Sequence, residues 1–165
     1  MALILAGRQV RPGAGPRAAW AARSRAERPG ERGRVLAVDD KPYIRQLLAT
    51  DLGLQGYTVL EAADGFAALA IAEREPLDLV LLDLILPGLD GYEVLRRLRA
   101  SPATAGLPVL ILSARVPPEG EASLAGAQGY LVKPFDLDEL ERQVARWVAY
   151  SRREGPDGLP PGLPD

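Results

Sequence analysis

From residue 34 onward the chain alternates between two kinds of hydrophobic pattern. Five short runs, at residues 34–38, 57–61, 78–82, 108–112 and 129–132, are rich in Val, Leu and Ile. Most carry no polar alternation, which is how strands covered on both faces of a parallel sheet read. Between the runs the apolar spacing changes to three and four. Ile44, Leu47, Leu48 and Leu52 form one such stripe, with Pro42 where a helix can begin. Asp64 is placed to cap a helix over 66–73 that puts Phe66, Leu69 and Ala70 on one face. Asp90 precedes a helix with Val94, Leu95 and Leu98 on one side and Arg96, Arg97 and Arg99 largely on the other. Asp136 precedes the last helix, whose stripe of Leu137, Leu140, Val144, Trp147 and Val148 reads as core. Residues 118–127 make the poorest helix, short and interrupted by Gly120. Strands alternating with helices predict an α/β domain built on a parallel sheet with right-handed crossovers.

The two flanks read differently. Residues 1–33 show no sustained period and are broken by Pro-Gly, Gly-Pro and Arg-Pro steps, the pattern of an irregular Arg/Pro/Gly-rich arm. The short apolar stretch 2–6 comes before the arginines, the reverse of a secretory signal, so export is not expected. Residues 151–165 hold four prolines and three glycines and read as a flexible tail too short for a second domain. The expected organisation is therefore an arm at 1–33, one domain at 34–150 and a tail. Charge follows the same division, with a net +6 over residues 1–34 against −8 over the rest. An acidic body does not by itself attract nucleic acid, so no direct DNA binding is expected. No apolar run reaches the roughly 18 residues of a membrane span, and a cytoplasmic protein without membrane contact is expected.

Composition removes several chemistries. The chain has neither cysteine nor histidine, which excludes disulfides, thiolate catalysis, zinc–thiolate sites, His metal sites and Ser–His–Asp triads. Carboxylate, hydroxyl, lysine and arginine chemistry remains.

In open parallel sheets, ligands bind outside the carboxyl ends of the strands. Here those ends carry Asp39-Asp40, Asp83, Ser113 and Lys133-Pro134. No Gly-rich phosphate loop follows the first run, which disfavours nucleotide binding. Three clustered carboxylates repel one another and call for a hard cation, Mg²⁺ above Ca²⁺. A magnesium ion with open positions is a partner for phosphoryl oxygens, and the Lys133 ammonium and Ser113 hydroxyl can hold others. A carboxylate can also be the nucleophile that becomes an aspartyl phosphate, and Asp83, ending the middle strand, is the candidate acceptor.

With these residues in this order, the chain resembles the receiver domains of two-component response regulators. The resemblance rests on Asp39-Asp40 after VLAV, on DLVLLD ending in Asp83, and on LILPGLDGYEVLRRLR. LSA, with Ser113, and GAQGYLVKPF, with Lys133-Pro134, complete it. It runs from Arg34 to Tyr150. It implies a flavodoxin-like sheet of strand order 2-1-3-4-5 flanked by five helices. It further implies that Asp83 accepts phosphate from a phosphohistidine on a sensor histidine kinase or phosphotransfer protein. Asp39, Asp40, Asp83 and the backbone carbonyl of Ile85 would hold Mg²⁺, Lys133 would contact the phosphoryl group, and Ser113 would turn inward to bond it. Tyr130 matches the aromatic whose rotation reports that move. The implied protein is a stand-alone phosphorelay switch acting on a downstream protein target, and not an enzyme.

Simpler roles exist for each residue. One Asp would suffice to cap the helix near Pro42, yet two are present; Asp83 could serve the turn at Pro87-Gly88, Ser113 a turn, and Lys133 could snorkel. Tyr130 could be ordinary strand packing. Two other functions also compete. A Mg²⁺-dependent phosphohydrolase resembling the haloacid dehalogenase group would need a second Asp two residues after the nucleophile, where Ile85 stands. A degenerate, phosphate-independent interaction module would not need the full residue set. Against the family's pattern, Ile85 replaces a frequent polar residue and Leu86 a frequent methionine. The interval from Ser113 to Lys133 is short and contains Pro117-Pro118, which shortens or distorts the helix there.

Overall fold

The computed structural model describes residues 31–115 and 126–153. Residues 1–30 of the expected arm at 1–33, most of the expected helix at 118–127 and residues 154–165 of the expected tail lie outside the described residues. Five strands, β1 (Gly33–Val38), β2 (Tyr57–Ala62), β3 (Leu79–Asp83), β4 (Val109–Ser113) and β5 (Gly129–Val132), form one sheet. Their order is β2-β1-β3-β4-β5, and every neighbouring pair is parallel. The helices are α1 (Pro42–Leu54), α2 (Gly65–Arg74), α3 (Gly91–Ala100) and α4 (Leu137–Arg153).

Alternation along the strands divides the core in two. Leu36, Val38, Val80, Leu82, Val109 and Ile111 pack with α2 and α3, while Val35, Ala37, Leu79, Leu81, Leu110 and Leu112 pack with α1 and α4. Both faces of β3 and β4 are thus covered, which explains why these strands read as unbroken apolar runs. Trp147 sits in the second cluster at 1% exposure, as the stripe on α4 predicts.

Local chemistry sets the helix starts. Pro42 opens α1. The Asp64 and Asp90 side chains accept from the amides of Ala67 (2.8 Å) and Glu93 (2.9 Å), capping α2 and α3. Asp136 accepts from Asp138 and Glu139 at the head of α4. Gly56, at φ 94°, turns the chain from α1 into β2 through a conformation that costs other residues more.

Three expectations need correction. The buried face of α2 is Gly65, Ala68 and Ala72, whereas Phe66 is 60% exposed and Ala70 is exposed. The helix lies too close to α3 for a large side chain: a Cβ on Gly65 would come within 2.6 Å of Val94 Cγ2. In α1, Leu48 and Leu52 are buried but Leu47 is 41% exposed. Arg99 is not on a solvent face, because its guanidinium donates to the carbonyls of Leu107 (2.8 Å) and Gly126 (2.8 Å).

Candidate functional site

Asp39 follows β1 and Asp83 ends β3, and as neighbouring strands these carry the two residues to the same edge of the sheet. Both carboxylates are almost fully buried, at 1% and 3% exposure, whereas Asp40 is exposed. Burying a carboxylate is costly unless it is paired and hydrogen-bonded, and each of these is. Asp39 Oδ1 accepts from the Lys41 amide (2.9 Å), and Asp83 Oδ1 from the Ile85 amide (3.1 Å). The Lys133 ammonium bridges the remaining oxygens, 2.5 Å from Asp39 Oδ2 and 3.2 Å from Asp83 Oδ2. Lys133 lies just past β5, beyond β4, and its side chain spans back to the sheet centre.

Carboxylate oxygens of Asp39, Asp40 and Asp83 all lie within 4.8 Å of one another. The donor set is entirely oxygen and carries three negative charges against the Lys133 ammonium and the Lys41 ammonium at Asp40. This suits a hard divalent cation bound by few carboxylates with water completing the shell, as Mg²⁺ requires. The main chain of Ile85 turns beside Asp83, and its side chain is 55% exposed.

Ser113 ends β4 and is buried at 1% exposure. It stands one residue past Leu112, the register partner of Asp83. Its hydroxyl accepts from the Arg115 amide (3.2 Å), and its carbonyl accepts from the Lys133 amide (2.8 Å), joining the ends of β4 and β5. Tyr130 pairs in register with Ile111 and is 46% exposed, so its ring lies outward rather than in the pocket. The Lys133–Pro134 peptide bond is cis.

The ground beneath the site is tightly specified. Gly91 opens α3 directly against the end of β3; a Cβ there would fall 2.5 Å from the carbonyl oxygen of Asp83 and from Leu84 Cα. Sequence reasoning missed two residues. Arg45, on α1, donates to the Asp39 carbonyl (2.7 Å) and pairs with Glu61 of β2 (3.4 Å). Lys41 pairs with Asp40 (3.3 Å). The hydrogen bond and charge of Asp40 raise the Lys41 pKa, with Asp39 and Asp83 adding to the effect and partial desolvation opposing it. A signal for Lys41 was present, since it is one of two lysines among twenty basic residues. Arg45 had none beyond its position early in α1.

Residues 35–145 match the family model of the response regulator receiver domain. The chain is 46% identical over 132 residues to the transcriptional regulatory protein TcrA of Mycobacterium tuberculosis, covering 79% of this chain and 50% of TcrA. It is 41% identical over 122 residues to the DNA-binding dual master transcriptional regulator RpaA of Synechocystis, covering 73% and 49%. The chain thus spans about half the length of the curated relatives it matches. Among solved structures, the chemotaxis protein CheY4 of Vibrio cholerae is 37% identical with a TM-score of 0.66, covering 69% of this chain and 97% of that one. The receiver domain of the Pseudomonas aeruginosa sensor histidine kinase PA1611, with magnesium coordinated in its active-site cleft, is 35% identical. Its TM-score is 0.66, covering 71% of this chain and 98% of that one.

Proposed function

The chain belongs to the response regulator receiver domain family, and we propose that Asp83 is the residue through which it takes up a phosphoryl group. Receivers are signalling switches rather than enzymes in the usual sense. The observation that carries the assignment is the Asp83 carboxylate itself. It is 97% buried at the centre of the sheet edge, gripped on one oxygen by the Ile85 amide and on the other by Lys133. An Asp83 oxygen attacks phosphorus, the nitrogen–phosphorus bond of a phosphohistidine breaks, and the imidazole leaves with the electron pair. The donor is a sensor histidine kinase or a phosphotransfer protein.

Asp39, Asp40, Asp83 and the Ile85 carbonyl would hold Mg²⁺, consistent with their shared, all-oxygen pocket. Bound there, the ion would offset carboxylate charge and stabilise charge developing on the phosphoryl oxygens. Lys133 then moves its donors from the carboxylate to a phosphoryl oxygen, keeping the charge neutralised through the transfer. Ser113 rotates its hydroxyl from the Arg115 amide toward the new group. The Ser113–Lys133 main-chain bond couples the ends of β4 and β5, and Tyr130, now outward, follows inward. The altered β4–β5 face is what a downstream protein reads in a cytoplasmic phosphorelay. The expectation of no direct DNA contact is confined to this receiver part, because RpaA, a longer relative, is DNA-binding. Ile85 also weighs against the phosphohydrolase alternative, presenting an apolar side chain where that chemistry needs a carboxylate.

Acetyl phosphate with Mg²⁺ should add one phosphoryl mass to the intact protein, and Asp83→Asn should abolish the gain while staying folded. Undiminished labelling of Asp83→Asn, or labelling in excess EDTA, would overturn the assignment.

A further inference from the structure

Only two of the chain's twenty basic residues are lysines, and between them they pair with all three carboxylates of the pocket. They meet them differently. Lys133 is 14% exposed and bridges the two buried carboxylates, whereas Lys41 is 46% exposed and pairs only with Asp40, itself 38% exposed. Lys41 is also tied to the pocket by its main chain. It occupies the cap position of α1 in extended conformation, and its amide donates to Asp39 Oδ1 (2.9 Å). Its side chain makes no capping bond, which leaves the ammonium on Asp40 Oδ1 as its polar engagement.

We propose that Lys41 is a tethered cation that occupies Asp40 while the pocket is without a metal and is displaced when Mg²⁺ takes that carboxylate. This rests on the metal-site reading above. The physical case is charge and mobility. Three carboxylates facing one ammonium would carry two uncompensated negative charges, and Lys41 halves that deficit. An ammonium is a compact point charge on a flexible stem, so it can withdraw without moving the backbone. The Lys133 contact is buried and doubly bonded, and it stays. The half-exposed Lys41 contact is weak enough to yield to a dication, since exposed ion pairs are worth little. The chain therefore holds Mg²⁺ less tightly than the three carboxylates alone would allow.

The two-lysine composition makes the test direct. Protein labelled with ¹³C at lysine Cε gives two resonances, which Lys41→Gln assigns. Titrating MgCl₂ should move the Lys41 resonance to the position of a free lysine. By calorimetry, Lys41→Gln should bind Mg²⁺ about two- to five-fold more tightly at low salt, the range set by an exposed ion pair, with the gain shrinking as salt rises. Arg115→Gln removes a cation near Ser113 that does not pair with these carboxylates, and it should change affinity less. An unmoved Lys41 resonance on Mg²⁺ binding, or an equal gain in Arg115→Gln, overturns the displacement. Failure of Mg²⁺ to bind any of the three proteins is a separate signature, which overturns the metal-site reading and the displacement together.

Discussion

The Lys133 ammonium lies between two carboxylates that have almost no access to water, and no other cation reaches both among the described residues. Arginine would keep the charge, but its planar fork needs different room and offers donors in a fixed geometry. Lys133→Arg should therefore bind Mg²⁺ with nearly parental affinity yet respond poorly to beryllofluoride, a phosphoryl mimic, in the NMR signals of Ser113 and Tyr130. A full response would reduce Lys133 to a charge. The carboxylates and Lys133 were legible in the sequence because they occupy strand ends, where a parallel sheet gathers its chemistry. Arg45 was not, because its partner is a main-chain carbonyl, and such partners leave no mark in residue type. Ser113 was placed correctly at the end of β4, but its bond to the Arg115 amide depends on loop geometry that residue spacing does not encode.

At the scale of elements, caps and strand ends were read to within a residue, while helix faces were not always. On α2 only Leu69 of the expected stripe packs against the core, while Phe66 is exposed and the buried positions go to Gly65, Ala68 and Ala72, because a close α2–α3 approach demands small residues. The packing of α1 against α4 holds a testable electrostatic feature. Glu141 of α4 faces Asp51 and Gln55 of α1, with Asp138 nearby on its own helix. Partial desolvation and then the Asp51 charge raise its pKa, while Gln55 opposes them. A carboxyl raised on folding binds its proton more tightly in the native state, so stability falls as pH rises through the window from its ordinary value to the raised one. Glu141→Gln should accordingly melt slightly above the parent at pH 7, and the difference should vanish below about pH 4, where glutamate is protonated in both states. An equal shift at both pH values would show that the effect is packing rather than charge.

Across the whole molecule, two apolar layers hold the sheet rigid while its carboxyl edge concentrates charge. The opposite end is fastened by a different acid. Asp78, fully buried, accepts from the Arg34 amide (2.8 Å) and the Ser151 hydroxyl (3.4 Å) and pairs with Arg152 (3.5 Å). Arg32 lies over the Tyr57 ring, 4.8 Å from its centroid, and Arg152 donates to the Glu31 carbonyl (3.3 Å). Contacts therefore run past both ends of the span 34–150, through residues whose local composition resembles the flanks. Periodicity cannot show that, since Glu31, Arg32, Ser151 and Arg152 are held by polar bonds and a ring contact rather than by an apolar stripe. The fastening leaves the site at the far edge, where Asp83 is proposed to carry the phosphoryl group. The most direct test of that proposal is borohydride reduction of protein treated with acetyl phosphate and Mg²⁺, followed by peptide mass mapping. An aspartyl phosphate is reduced to homoserine, so homoserine is expected at position 83 alone. Homoserine at Asp39 or Asp40, or none at position 83 despite phosphoryl uptake, would contradict it.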